Sequence, residues 1–234
     1  MAGPLKGYLW STACSYEYIL GNYEDPKTMN AFLSWLKPGS VFYDLGANAG
    51  YFSLLANRVI TEGKIYSFEP SPAARQLLEM HLELNSAKIT TDTISLLPFA
   101  ISDTEKQIEF SDSHIPKEGN TYIKGSPIFS GTENRITVQC YSVDGLQEQG
   151  FEKPDVMKID VEGAEYDVLQ GAVNTLQRYK PGILLATHDC HLPGVQEKCV
   201  QLLKQLGYIV KHTGNYNKQM DGLDDYIAIH QERL

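Results

Sequence analysis

Apolar and polar positions along the chain repeat with two periods, one typical of buried strands and one typical of helices. Short apolar runs bounded by Gly, Pro or polar residues predict strands at 41–43, 64–68, 94–101, 156–159, 183–186, 208–210 and 226–229. Between these runs, apolar residues three and four positions apart predict helices near 29–36, 51–59, 72–84, 169–176 and 195–206. The alternation predicts an α/β fold, with a mostly parallel sheet of about seven strands and helices on both faces.

Two segments depart from this alternation within what we expect to be one domain spanning residues 1–234. Residues 1–38 carry many aromatic side chains before their helix, which Pro38 and Gly39 end, and we predict that they form a cap. Residues 104–136 are rich in Gly, Ser and Pro and contain only a short strand candidate near 108–110. This stretch is an excursion from the sheet, either a lid or substrate loop or an ordinary surface insertion.

Composition and charge limit what this protein can bind and where it can function. Acidic residues outnumber basic ones 29 to 20, giving a formal net charge of −9 that disfavours DNA or RNA as a partner. No apolar run approaches the roughly 18 residues that a membrane span needs, and the first residues do not resemble a secretion signal. The four cysteines are widely spaced, which argues against a zinc site or a disulfide framework. We therefore expect a cytoplasmic protein.

Polar side chains concentrate where the predicted strands end. Acids, amides or a histidine follow five successive strands, at 44–50, 69–70, 102–103, 160–163 and 187–189. Because ligands of open α/β sheets bind outside the carboxyl ends of the strands, we expect these residues to meet at one edge. A sheet with a purely structural role does not need such a concentration, so the sequence predicts a binding or catalytic site there.

The turn after the first strand reads D-x-G-x-N-x-G, from Asp44 through Gly46 and Asn48 to Gly50. Glycines permit positive φ and close approach of a ligand, and the helix start that follows offers free N–H groups. Glu69 ends the next strand, 25 positions after Asp44, where an acid can accept hydrogen bonds from a ribose. An acid ahead of the first glycine would repel a pyrophosphate but favour a cationic sulfonium. The turn therefore favours S-adenosylmethionine over a nicotinamide dinucleotide.

A family resemblance rests on several segments in a fixed order. They are LGNYE, VFYDLGANAGYFSLLA, YSFEPSP, FAISD, SVDGL and VMKIDVEGAEYDVLQGA, between about Gly21 and Ala172. Together they resemble the FkbM family of methyltransferases. The resemblance implies a Rossmann-like class I methyltransferase fold, S-adenosylmethionine as methyl donor, and an oxygen acceptor on a sugar, glycan or small natural product.

The resemblance also implies roles for individual positions. Asp44, Gly46, Asn48 and Gly50 would form the pocket for the methionine end, with neighbours Ala47 and Tyr51. Glu69 beside Pro70 would hold the ribose, and Ala100, Ile101 and Ser102 would flank the adenine. Asp160 and Glu162 would face the reaction centre, and Tyr23 and Glu24 would close over it. Residues 104–136 and those after about 190 match no family pattern, so we expect them to select the acceptor.

Methyl transfer to a hydroxyl benefits from a nearby base, because an alcohol is a weak nucleophile. His188 is the leading candidate, since histidine titrates near neutral pH, and Asp160 is the second. Glu162 is either functional or a favourable acid at a helix start. Lys158 lies within a strand and needs an acid partner if it points inward. Asp160, His188 and Asp189 could hold a divalent cation, but their placement does not demand one, and we predict no metal requirement.

Three other functions stay open at this point. A nicotinamide-dependent oxidoreductase would carry G-x-G-x-x-G, which the turn at 44–50 lacks. Methylation of nitrogen or of a carboxylate oxygen is a second alternative, although residues 160–163 lack the Pro-Pro-aromatic pattern of adenine N-methyltransferases. A binding domain without catalysis is the third. The sequence does not indicate an oligomeric state.

Overall fold

The computed structural model describes residues 1–21, 25–111, 135–214 and 222–233. Its helices are α1 (Tyr16–Leu20), α2 (Pro26–Trp35), α3 (Tyr51–Asn57), α4 (Pro72–Leu84), α5 (Val143–Glu148), α6 (Glu165–Gln170), α7 (Val173–Tyr179) and α8 (Val195–Gln205). Its strands are β1 (Val41–Leu45), β2 (Lys64–Phe68), β3 (Ile94–Leu97), β4 (Ala100–Ile101), β5 (Lys106–Ser111), β6 (Arg135–Tyr141), β7 (Val156–Ile159), β8 (Gly182–His188), β9 (Tyr208–Gly214) and β10 (Leu223–His230).

Seven strands form the main sheet in the order β3-β2-β1-β7-β8-β10-β9. The first five are parallel, and β10 runs antiparallel to both β8 and β9. This arrangement confirms the predicted α/β fold with a mostly parallel seven-stranded sheet. Chain order reverses between β1 and β7, which are neighbours in space, and this is the place where open α/β sheets bind ligands.

A second sheet of three strands, in the order β4-β6-β5, stands beside the first. The predicted single strand at 94–101 is therefore wrong, because β3 belongs to the main sheet and β4 to the second one. Pro98 lies between them, and a proline has no N–H to continue a ladder. The predicted excursion at 104–136 is partly regular, since β5 and β6 pair antiparallel within it. Residues 112–134 lie outside the described residues, so the lid stays a prediction.

The predicted helix at 169–176 is two helices. Helix α6 ends at Gln170 and α7 begins at Val173, with Gly171 between them. A Cβ on Gly171 would lie 2.2 Å from the carbonyl oxygen of Ser102, so the chain passes too close there for any other residue. The break is thus caused by contact with the segment that follows β4.

The two faces of the main sheet pack against different helices. One face, with Tyr43, Met157 and Leu185, forms a core with residues of α5 to α8. The other face, with Phe42 and Leu184, packs against α2, α3 and the N-terminal residues. Near the carboxyl ends of the parallel strands, this second face turns polar. Register places the side chains of Ser67, Asp44, Lys158, His188 and Asp225 on it.

Residues 1–21 and α2 cover α3 and part of α4. Their core includes Leu5, Tyr8, Tyr18 and Phe32, all less than a tenth exposed. The side chain of Asn85 bonds both the N–H and the carbonyl of Leu9, at 2.8 and 2.9 Å. Among the described residues, no helix has the length and apolar character required to cross a membrane.

Candidate functional site

The turn after β1 is fastened to the end of β2 by its own backbone. The N–H groups of Gly46 and Ala47 both donate to the carbonyl of Phe68 at 3.0 Å, and the N–H of Asn48 donates to Glu69 Oε2 at 2.7 Å. These three amides are therefore occupied within the protein. Beyond the turn, no side chain caps the start of α3. Any cofactor contact made by backbone N–H groups would have to come from that later part of the segment.

The glycines of this turn adopt the predicted left-handed conformation, with φ of +79° at Gly46 and +89° at Gly50. The fold itself requires glycine at both positions, and the predicted close approach of a ligand stays a prediction. A Cβ on Gly46 would lie 1.9 Å from the carbonyl oxygen of Asp160, and one on Gly50 would lie 2.8 Å from Leu78 Cγ. The glycines are required because β1 and β7 end against each other and because α4 packs on the turn.

Glu69 lies between two loops at the end of β2 and is 5% exposed. Its Oε2 accepts the Asn48 N–H and its Oε1 accepts the Ser71 N–H, at 2.7 and 2.9 Å. Each oxygen keeps a further lone pair for a ligand. Burial raises the pKa of Glu69 to about 7, against the effect of these two hydrogen bonds. Arg75 donates to the carbonyls of Glu69 and Pro70, which fixes the loop on the other side.

Lys158 joins the two central strand ends. Its ammonium donates to the carbonyl of Gly46 at 2.7 Å and lies 3.1 Å from Asp160 and 3.6 Å from Asp44. The predicted need for an acid partner is thus met twice. Burial would lower the pKa of Lys158, but the charges of Asp160 and Asp44 outweigh it and raise this pKa. Asp44 itself is fully buried and accepts a hydrogen bond from Ser53 at 2.6 Å. Its predicted place in the pocket for the methionine end stays a prediction, and its charge lies beside that pocket in any case.

His188, Asp160 and Glu162 come together as predicted. The imidazole Nε2 lies 3.6 Å from Asp160 Oδ1 and 3.5 Å from Glu162 Oε2. On the other side of the ring, Nδ1 lies 2.8 Å from Glu165 Oε1. His188 is 5% exposed, whereas the Asp160 and Glu162 side chains keep 21% and 25% of their surface. A histidine at the end of β8 is therefore enclosed by three carboxylates, two of which remain accessible.

These carboxylates govern the protonation of His188. Burial alone would lower its pKa, but the charges of Glu162, Glu165 and Asp160 outweigh burial and raise the pKa well above 6.5. For Asp160 the effects are reversed. Burial alone would raise its pKa, but the charges of Lys158 and His188 hold this pKa below its usual value. At neutral pH the cluster therefore contains an imidazolium beside the ionised carboxylate of Asp160.

Two residues of this cluster, Glu165 and Asp225, were missed from the sequence. Glu165 begins α6, and an acid at a helix start is expected for electrostatic reasons alone. Asp225 lies in β10 opposite Ala186 and diagonal to His188, on the same face. Burial and the charge of Asp160 raise the pKa of Asp225 to about 7. His191 stacks on His188 with ring centroids 5.2 Å apart, and its Nδ1 lies 3.0 Å from Glu162 Oε2. The sequence indicated His191 only as a minor alternative base.

Asp160, Glu162 and His188 offer ligand atoms within 4.8 Å of one another, a spacing that a cation could use. The predicted alternative set contained Asp189 instead, but its carboxylate accepts the Gln196 N–H at the start of α8. Asp160 already has two cationic neighbours, the ammonium of Lys158 at 3.1 Å and the imidazole of His188 at 3.6 Å. The cluster therefore forms an ion-pair network, and the absence of a metal requirement stays a prediction.

The remaining predicted cofactor residues occupy different places. Ala100, Ile101 and Ser102 lie at β4 of the second sheet, where Phe99 packs on Phe68 at 5.5 Å. This contact places the segment beside the end of β2. The ring of Tyr51 is buried against Tyr18, so only its backbone is left for a cofactor. The predicted residues Tyr23 and Glu24 lie outside the described residues.

Comparison with known proteins agrees with this geometry. The sequence profile of the Methyltransferase FkbM domain matches residues 44–212. Hexuronic acid methyltransferase AglP of Haloferax volcanii is 32% identical over 138 residues, which cover 58% of this chain and 52% of that protein. 2-O-methyltransferase NoeI of Sinorhizobium fredii is 25% identical over 154 residues, covering 61% of each chain.

Among solved structures, methyltransferase FkbM from Methylobacillus flagellatus superposes with a TM-score of 0.59 at 15% identity. The superposition covers 88% of this chain and 48% of that one, and it shows the class I methyltransferase fold. The chain spans about half to three-fifths of the length of these three proteins. Since the profile match covers well over half of the chain, from the end of β1 into β9, the protein belongs to the FkbM methyltransferase family.

Proposed function

We propose that this protein transfers a methyl group from S-adenosylmethionine to a hydroxyl group of a sugar or another small polyhydroxylated molecule. One observation carries the proposal. Glu69 at the end of β2 and the His188 cluster at the ends of β7 and β8 lie on either side of the contact between Gly46 and Asp160, at the point where strand order reverses. A cofactor and an acceptor held at these two places would meet at the carboxyl ends of β1 and β7.

The charges at this edge fit a cationic cofactor. The described carboxyl groups here outnumber the cationic groups Lys158 and His188; they are Asp44, Glu69, Asp160, Glu162, Glu165 and Asp225. A sulfonium and an ammonium group would be attracted to such an edge, and the pyrophosphate of a nicotinamide dinucleotide would be repelled. Glu69 would accept hydrogen bonds from the ribose with its remaining lone pairs. The α3 start and the segment Ala100–Ser102 would border the two ends of the molecule.

The bound cofactor supplies a methyl group on a positively charged sulfur, and the protein's task is to prepare the acceptor. In our proposal, the acceptor hydroxyl donates a hydrogen bond to His188 Nε2, and Asp160 and Glu162 hold the neighbouring hydroxyls. His188 accepts a proton only after losing its own. The reaction rate should therefore rise with pH through the raised pKa of His188. Positioning of the hydroxyl by the surrounding carboxylates supplies the rest of the catalysis.

The acceptor class is supported by the relatives rather than by the cluster alone. One relative is named for a hexuronic acid and another for 2-O-methylation, and both names fit a hydroxylated sugar as substrate. Carboxylates that face a pocket commonly bind sugar hydroxyls, because they accept hydrogen bonds only. We also propose that the reaction needs no divalent metal and takes place in the cytoplasm, as expected from the cysteine pattern.

Calorimetric titration with S-adenosylhomocysteine tests the cofactor site without an acceptor. We expect micromolar binding to the wild-type protein, unchanged by added Mg²⁺. Glu69→Ala should weaken binding by about 1–3 kcal/mol, the cost of losing hydrogen bonds to a charged acceptor. Glu83→Ala, an exposed acid on α4, is the matched control and should bind like wild type.

Equal affinities for the Glu69 and Glu83 variants would remove Glu69 from the cofactor site. Absence of any binding by the wild-type protein, together with enhanced fluorescence of added NADH, would favour the nicotinamide alternative instead.

A further inference from the structure

Glu165 is the first residue of α6 and has no exposed surface. Its Oε1 lies 2.8 Å from His188 Nδ1 and also accepts the N–H of Gly163 at 2.8 Å. Glu165 is therefore held in place by the loop that carries Glu162. It contacts the imidazole from the side opposite to Asp160.

The identity of this partner decides where the imidazole carries its proton. An ionised carboxylate accepts hydrogen bonds and cannot donate them, so Nδ1 of His188 must carry a hydrogen. When His188 is neutral, Nε2 is then the nitrogen with the free lone pair. Nε2 is also the nitrogen that faces the partly exposed carboxylates of Asp160 and Glu162. The accessible side of the ring is thus the basic side.

Burial of Glu165 at this position is energetically unfavourable. Its Oε2 is buried and has no hydrogen-bond partner among the described residues. A buried carboxylate with an unpaired oxygen costs free energy that a neutral side chain would avoid. Neutral Ser71 and Ser142 serve the starts of α4 and α5. The carboxylates that serve other helix starts are all partly exposed; they are Asp25, Asp144 and Asp189. Support of the helix start does not account for a buried charge here.

We propose that Glu165 is a positioning residue that fixes the orientation and tautomer of His188, so that Nε2 is presented to the acceptor hydroxyl. The stacked ring of His191 restricts the imidazole from one face, and Glu165 restricts its rotation. This inference rests on the proposed function for its consequence in catalysis. The hydrogen bond itself can be tested independently.

The first test is ¹⁵N NMR of histidine-labelled wild-type protein, with the His188 signals assigned by comparison with His188→Gln. The groups that surround His188 and affect its titration are Asp160, Glu162, Glu165, Cys190, His191 and Asp225. Above its pKa, neutral His188 should carry its hydrogen on Nδ1. A neutral ring with its hydrogen on Nε2 would overturn the proposal, and this measurement requires no variant of Glu165 and no ligand.

Two variants then separate charge from shape. Glu165→Gln keeps the bond to Gly163 and removes the charge, so the pKa of His188 should fall and the acid limb of the rate profile should move to lower pH. Glu165→Leu removes the acceptor, so His188 should populate both tautomers and turnover should fall by at least about tenfold. Both should bind S-adenosylhomocysteine within about twofold of wild type, since Glu165 lies on the acceptor side.

Glu148→Gln is the matched control, because Glu148 is an exposed acid at the end of α5, outside the cluster. It should leave the titration and tautomer of His188 as in wild type. If the Gln and Leu variants also leave both unchanged, Glu165 does not position His188. A different outcome is that the tautomer of His188 depends on Glu165 but the protein does not bind S-adenosylhomocysteine. In that case the proposed function fails, while the structural role of Glu165 stands.

Discussion

Two buried histidines of this protein lie in opposite surroundings. His81 in α4 has no exposed surface, stacks on Trp10 with centroids 3.7 Å apart, and bonds only to backbone. Its Nδ1 donates to the carbonyl of Ala49 at 2.8 Å, and its Nε2 accepts the N–H of Ser11 at 3.0 Å. His188 is almost as buried but faces three carboxylates. Burial is similar in the two places, so the neighbouring charges make the difference.

The two histidines therefore have different roles. Burial lowers the pKa of His81, against the bond to Ala49, and the neutral ring joins the N-terminal residues to the turn after β1. The pKa of His188 is raised instead, by acids that outweigh burial. A neutral buried histidine with both ring nitrogens hydrogen-bonded indicates a structural role. A protonated histidine among partly exposed acids indicates a functional site.

The largest expected effect is on turnover. His188→Gln removes the proposed base and keeps a polar side chain, so turnover should fall by about 10²–10⁴-fold while affinity for S-adenosylhomocysteine stays close to wild type. The rate is measured with an acceptor identified by screening sugars and hydroxylated natural products. His230→Gln is the control, because His230 ends β10 at the amino ends of the parallel strands, far from the site. This variant should retain the wild-type rate. Normal turnover by the His188 variant would exclude it as the base.

A smaller effect is expected from the structural histidine. His81→Ala leaves the N–H of Ser11 and the carbonyl of Ala49 without their partner, at about 1–3 kcal/mol for each buried group. The free energy of unfolding, measured by denaturant titration, should fall accordingly. Turnover per folded molecule should change far less than in the His188 variant. A variant as stable as wild type would show that the two hydrogen bonds of His81 do not contribute to stability.

The smallest effect is a difference in the pH dependence of stability. The folded-state pKa of His188 lies above 6.5, so its contribution is complete below that pH and is lost as pH rises through the folded value. The folded-state pKa of His81 lies below 6.5, so its contribution is complete above that pH and is lost as pH falls. Denaturant titrations across this range should show His188→Gln flattening the alkaline loss and His81→Gln the acid loss. The same slope in both variants would contradict the assigned environments.

Local sequence pattern predicted most of the main sheet, because each strand and helix carries its own periodicity. The strand candidate near 108–110 corresponds to β5. The pattern failed at 94–101 and did not predict β6, whose pairing partners β4 and β5 are distant in sequence. Pro98 was the local signal for the break between β3 and β4. The role of Gly171 was not visible, because its neighbour Ser102 is far away along the chain.

The site was predictable as far as it follows the parallel strands. Asp160, Glu162 and His188 follow β7 and β8 directly, so the rule for strand ends brought them together. This rule does not apply to Asp225, because β10 is antiparallel to β8. The first residues of β10, rather than its last ones, therefore lie at the carboxyl ends of the parallel strands. Pattern also did not reveal that the Gly46 and Asp44 positions serve the protein's own packing.

The contact between Gly46 and Asp160 limits how this protein can diverge. A side chain at Gly46 would overlap the Asp160 carbonyl, and Lys158 binds the Gly46 carbonyl itself. Substitutions at this junction would alter the proposed cofactor and acceptor sides together. Asp225 takes no part in this contact, because it enters from β10 at the far side of His188. Substitutions of Asp225 would therefore change the proposed acceptor side while leaving the junction intact.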